Sequence, residues 1–324
     1  MKKFLLQISL FALPFFAGVI CLFCLNPDKQ FSYRFVKGEC SNKASWIYDR
    51  VFLSGKKMDV VFIGASQTAT AVKDEMIEKR LGELTGEAVD IANLGYCRGG
   101  RDIQYVMLKE VFRQKEPKMV VIEVAEDEPK KSHPVFPYLA DTDDLLESAV
   151  IFNQRFPLSV WKGLVIRFAY LKEQVFGGDA YLGDSTVSYG YIPTEAVADN
   201  AVLTRNRLNW ERRLNRSKSA MMRKVELRYS MHYMEKMVKM AEQNGSKVVF
   251  LYLRESGSSL KEPMLSDYYR LVSDIMMLPE EIYAHPGNWF DASHLNDNGA
   301  TLASEVIAQE LVWAIGNKKM AGDF

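Results

Sequence analysis

The chain has 324 residues, of which 48% are hydrophobic and 25% charged, a globular composition with enough apolar material for one large domain or two small ones. Lys plus Arg and Asp plus Glu balance at 41 each, so the basic excess of a nucleic-acid-binding surface is missing and no nucleic-acid partner is expected.

The chain opens with MKKFLLQISLFALPFFAGVICLFCLNP. Phe4 to Leu25 carries no charge and would rise about 33 Å as a helix, against a bilayer core of about 30 Å. No A-x-A-like cleavage site follows, and neither Cys21 (after Val-Ile) nor Cys24 (after Leu-Phe) suits a lipoprotein site. Residues 1–26 are therefore predicted to be an uncleaved signal anchor, a single transmembrane helix. Lys2 and Lys3 favour a cytoplasmic N-terminus, although Lys29, Arg34 and Lys37 on the other side weaken the bias. The expectation is a single pass of the cytoplasmic membrane with the body outside, periplasmic or at the cell surface. Residues 27–57 show no strong period and read as a juxtamembrane link.

From residue 58 strands and helices alternate. MDVVFIGAS contains a β-branched run ending in Gly64, a buried-strand pattern. AVKDEMIEKRLGEL has helical spacing, EAVDIANLG is a second strand, GRDIQYVMLKEVFRQ a second helix and PKMVVIEVAEDEP a third strand. Residues 129–220 break the pattern and are predicted to be a helical and loop insertion on the sheet. The alternation resumes with a long helix ending at Asn244-Gly245, the strand SKVVFLYLRE, a further helix, a short strand or turn around Ile282, and a closing helix from Ala300. The predicted fold over 58–324 is α/β: a parallel, flavodoxin-like three-layer sheet flanked by helices.

In such sheets functional groups gather beyond the C-terminal strand ends. The first strand ends in Gly64-Ala65-Ser66, the second in Asn93-Leu94-Gly95, the third in Glu126-Asp127-Glu128, and DASHLNDNGA carries Asp291 and His294. A serine hydroxyl is a poor nucleophile until a base takes its proton. Histidine suits that task near neutral pH, and an aspartate fixes its tautomer. Simpler readings stand beside this one. Ser66 could N-cap the next helix, Asp291 and His294 could cap the last helix, and Gly95 and Gly99-Gly100 could be turn residues. His133, His232 and His285 are expected to be structural. Arg98 and Arg101 could meet an anionic substrate, but a solvated surface role is expected. Outside the cytoplasm Cys40 and Cys97 could form a disulfide, but two separate thiols are expected, and no Cys or His spacing suggests a metal site.

Taken in order, VFIGAS, NLGYCRGG, PKMVVIEVAEDE and DASHLNDNGA resemble the blocks of the SGNH (GDSL-type) hydrolase superfamily, over residues 58–128 and 221–315. With the N-terminal anchor, the chain is similar to the membrane-anchored branch that includes the DltD protein of teichoic acid D-alanylation and the alginate O-acetylation proteins. The resemblance implies Ser66 as nucleophile, His294 as base and Asp291 as its orienting acid, with no cofactor. It implies oxyanion donors at Ser66 and Gly95. It departs at Asp127, where the family has an Asn whose amide donates; an ionised carboxylate only accepts. Asp127 could point away while Asn93 or a backbone amide substitutes, burial could keep it protonated, or the protein could be a differently employed member. The implied function is serine acyl transfer to, or ester hydrolysis on, O-acyl groups of a cell-envelope polysaccharide. An acylated glycan or acyl donor, and a membrane-bound O-acyltransferase, are the expected partners. The rival readings are a simple carboxylesterase or lipase and a non-catalytic envelope scaffold.

Overall fold

The computed structural model describes residues 1–38, 41–150, 153–178, 189–214 and 220–321. Its centre is a 5-stranded parallel sheet of β1 (Val60–Ile63), β2 (Ile91–Asn93), β3 (Met119–Val124), β4 (Lys247–Tyr252) and β5 (Ile275–Met277), in the spatial order β2-β1-β3-β4-β5. In register, Val61 faces Ala92 on one side and Val120 on the other, Ile122 faces Phe250, and Leu251 faces Met276.

The strands are mostly apolar and show no alternating polar face, because helices cover both sides of the sheet. Their alternation divides the core in two. Val61, Ile63, Val120, Ile122 and Phe250 pack with Val106 and Met107 of helix Arg101–Gln114 and Met234 and Met237 of helix Ala220–Gln243. Val60, Phe62, Val121, Val249 and Leu251 pack with Ile77 and Leu81 of helix Asp74–Thr85 and Ile307 and Leu311 of helix Asp297–Ala321. The strand order reverses at β1: the chain steps outward to β2, then returns to lay β3 on the other side of β1. A crevice opens at such a switch, between the carboxyl ends of β1 and β3.

Three expectations are corrected. Residues 27–57 are not a link: they form helices Lys29–Phe35 and Ser41–Tyr48 and a π-helical turn Asp49–Leu53, and Tyr33, Ile47, Tyr48 and Val51 belong to the sheet's core. Three short elements in succession each impose their own phase, so no single period emerges. The edge strand is Ile275–Met277, while Ile282 lies in helix Glu280–Ala284; a strand this short offers no alternation to read. Cys97 is disulfide-bonded rather than a separate thiol, whereas Cys21 and Cys24 are free; Cys40 lies outside the described residues.

Within 129–220 the chain forms helices Phe136–Leu139, Thr142–Val150, Phe156–Phe176 and Asn200–Leu214. Phe136 and Leu139 of the first and Leu145 of the second are buried in the core beside the sheet. The apolar opening segment is one helix, Lys2–Cys24, long and apolar enough to cross a membrane.

Candidate active site

The chain leaves β1 at Gly64 and enters helix Ser66–Ala71 two residues later. One carboxylate oxygen of Glu123, on neighbouring β3, holds this turn. It accepts from the backbone N–H of Ala65 (2.8 Å) and Thr68 (3.0 Å) and from the Thr68 hydroxyl. The approach is so close that a Cβ on Gly64 would lie 1.9 Å from Thr68 Oγ1 and 2.5 Å from Glu123 Oε2. Glycine is required there for space. Ser66 is the first residue of the helix rather than its cap, which is Ala65.

The second half comes from the loop before the last helix. Trp289 and Leu295 are buried and form an antiparallel bridge, and Trp289 Nε1 donates to Tyr283 O at 3.0 Å. With both ends fixed, the intervening residues make a tight turn in which Phe290 N–H donates to His294 O at 2.9 Å. Asp291 Oδ1 accepts from the backbone N–H of Ser293 (2.7 Å) and His294 (2.9 Å), an Asx-type arrangement. The same carboxylate meets the imidazole: His294 Nδ1 lies 2.9 and 2.8 Å from its two oxygens. His294 Nε2 lies 2.7 Å from Ser66 Oγ.

Ser66 and His294, 228 positions apart, form a continuous relay with Asp291. With the Nδ1–H of His294 donating to the Asp291 carboxylate, Nε2 is free to accept from the serine hydroxyl. Partial burial pushes the Asp291 carboxyl up, but the bonds from the His294 ring and the Ser293 backbone outweigh it and hold the group below the usual carboxylate range. It stays an anion able to stabilise an imidazolium.

Ser66 and His294 open into a cavity of about 250 Å³, whose walls include Arg101, Gln104, Glu123 and Asp127. Asp127 is exposed and ion-paired to Lys130 at 2.6 Å. Burial, the premise of a protonated Asp127, falls on its neighbours instead. Glu126 is buried, which pushes it up to about 7, and Glu128 is buried against Arg101.

Asn93 and Gly95 do not serve the cavity as donors, which corrects that expectation. Asn93 Nδ2 donates to Thr68 O (2.9 Å) and Val72 O (2.7 Å), and its Oδ1 accepts the Gly95 N–H at 2.9 Å. A Cβ on Gly95 would lie 2.4 Å from Ala69 N. Both residues therefore lock the nucleophile's helix to the end of β2.

A solvated role is expected for Arg101 from the sequence, but the residue is buried. Its Nε donates to Glu128 (2.6 Å), and its Nη1 donates to Glu123 O (2.8 Å) and Gln104 Oε1 (2.7 Å). Gln104, whose oxygen is held in this way, itself lines the cavity. Arg98 is exposed, with a left-handed φ of 60°, and rims a neighbouring cavity of about 300 Å³ with Lys130, Lys131 and Arg155. Gly99 and Pro129 line both cavities.

The other histidines are structural. His133 Nε2 lies 2.8 Å from Cys97 O and its Nδ1 accepts from Val135 N–H; burial, helped by Arg98, Arg155 and Lys162, pushes it down to about 4. His232 pairs with Glu147, and His285 accepts from Gly287 N–H.

Sequence reasoning missed Thr68, Glu123 and Gln104, and it read Gly64 as a strand end without the close approach that requires it. One signal was available: Glu123 is the only charge within the otherwise apolar strand MVVIEV. The chain matches no family model, no curated protein and no solved structure. Fold and site nonetheless define a class on their own: a parallel α/β protein with a Ser–His–Asp relay at the point where its strand order reverses.

Proposed function

We propose that the protein is a membrane-anchored serine acyltransferase or esterase of SGNH type, acting on O-acyl groups of a cell-envelope polysaccharide. The observation that carries this reading is the hydrogen-bonded chain Ser66–His294–Asp291, with the serine hydroxyl 2.7 Å from the imidazole. His294 Nε2 takes the Ser66 proton as Oγ bonds to the acyl carbon. The carbonyl oxygen becomes an oxyanion, then re-forms its double bond as the C–O bond to the leaving alcohol breaks. His294 gives that alcohol its proton. A glycan hydroxyl or water, deprotonated by His294, attacks the acyl-serine and frees Ser66.

The oxyanion needs preorganised donors. The Ser66 backbone N–H, in the first turn of a helix with no intrahelical acceptor, is one. The Gln104 amide takes the part that the resemblance gives to an Asn at position 127. Asp127, engaged by Lys130, lies at the rim.

Helix Lys2–Cys24 anchors the chain in the cytoplasmic membrane with the body outside. The Cys97 disulfide fits an oxidising compartment. A membrane-bound O-acyltransferase that delivers the acyl group is the partner this arrangement suits. The test is turnover of a chromogenic acetyl ester by the full-length chain, with and without acetylatable oligosaccharides. Acetylated oligosaccharide supports transfer and free acetate supports hydrolysis, both lost in Ser66→Ala. Turnover that survives Ser66→Ala contradicts the reading.

A further inference from the structure

Helix Phe156–Phe176 presents its apolar side to the outside. Leu158, Trp161, Val165, Phe168, Leu171 and Val175 are exposed, Trp161 at 64% and Phe168 at 61%, while Ser159, Gly163 and Arg167 are buried beneath them. Their spacing of three and four residues places them in one stripe along the helix. Single exposed apolar side chains are ordinary on a protein surface, but a contiguous stripe marks a contact.

A second observation says what that contact is. Arg167, at the middle of the helix, is fully buried and grips the last turn of the N-terminal apolar helix. Its Nε donates to Phe23 O at 3.1 Å, and its guanidinium lies 5.3 Å from the centre of the Phe23 ring. Arg167 Nη2 also donates to Thr142 Oγ1 (3.0 Å), whose hydroxyl in turn donates to Phe23 O (2.6 Å). A terminal carbonyl that the apolar helix cannot satisfy itself is thus capped from the insertion. Were the apolar helix to cross a membrane, this contact would put the middle of the striped helix at the depth where the crossing segment leaves the hydrocarbon. Tryptophan prefers that depth. Lys172, the exposed cation within the stripe, has the long stem needed to reach headgroups.

We propose that this stripe lies in the interfacial layer of the bilayer crossed by the N-terminal helix, making helix Phe156–Phe176 a second, surface-lying membrane contact. The inference rests on the anchoring reading above and goes beyond it. The body does not swing from a tether; its insertion rests on the lipid.

The full-length chain is reconstituted into phosphatidylcholine vesicles carrying brominated acyl chains near the headgroup. Flotation and quenching of tryptophan emission are then measured. Trp46, Trp210 and Trp289 are buried, which leaves Trp161 and Trp313 as the exposed indoles. Trp161→Phe is expected to remove at least half of the lipid-dependent quenching, and Trp313→Phe to leave it unchanged. A chain that floats with the vesicles but is quenched equally with and without Trp161 overturns this inference alone. So does a floating chain that forms a dimer split by Phe168→Lys, since the stripe would then face protein. A chain that does not float overturns the anchoring reading, and this inference with it.

Discussion

At Glu123 a single carboxylate oxygen gathers two backbone N–H groups and a hydroxyl at the turn that carries Ser66. Removing a buried acceptor strands its donors, at about 1–3 kcal/mol for each polar group left unsatisfied. Glu123→Ala is therefore expected to cost at least about 2 kcal/mol in urea unfolding and to lower kcat more than KM. Glu123→Gln keeps an acceptor oxygen and should recover much of both. Equal losses in the two variants would contradict a positioning role. Gln104→Ala removes a neutral donor, and kcat should fall by about 100-fold if that amide faces the oxyanion. Glu126 offers a pH test. Burial raises it from 4.5 to about 7, so the folded state keeps a proton that the unfolded chain releases. Its contribution to stability therefore falls as pH rises through that window. Glu126→Gln should gain on the wild type in melts from pH 5 to 8, by at most about 3 kcal/mol; a constant difference would contradict the assignment. Ser66, Asp291 and His294 were legible because their residue types and strand-end positions carry the chemistry. Gln104 was not, because its importance comes from Arg101 fixing its oxygen across space. The chain order also drew Asn93 and Gly95 into the site, where packing against helix Ser66–Ala71 claims them instead.

Among the elements, the turn from β1 into helix Ser66–Ala71 is the most constrained. Gly64→Ala would drive a methyl group onto Thr68 Oγ1, a side chain already bound to Glu123. The expected cost is about 1–3 kcal/mol of overpacking, with a larger proportional loss of activity because Ser66 moves with the turn. Unchanged activity in a destabilised protein would separate the turn from the chemistry. The strands were readable from their apolar runs and the main helices from their spacing, since sheet and helix layers impose those periods directly. The helices at 29–53 were not. Tyr33, Trp46 and Ile47 reach the core from short segments whose phases do not combine. The edge strand at Ile275–Met277 was too short to announce itself.

For the molecule as a whole, the site is assembled from distant parts of the chain, so global integrity and activity should fail together. The Cys97 disulfide constrains the loop that follows β2, and its removal by Cys97→Ser is expected to cost about 2–5 kcal/mol in chemical denaturation. Stability insensitive both to this change and to reductant would mean the bond does not form. The central claim is that Ser66 is an activated nucleophile. Its most direct test is exposure of the full-length chain to a fluorophosphonate and mapping of the adduct by mass spectrometry, beside His294→Ala. The account predicts an adduct on Ser66 that the histidine substitution abolishes. A folded chain that remains unlabelled, or one labelled equally without His294, would contradict it.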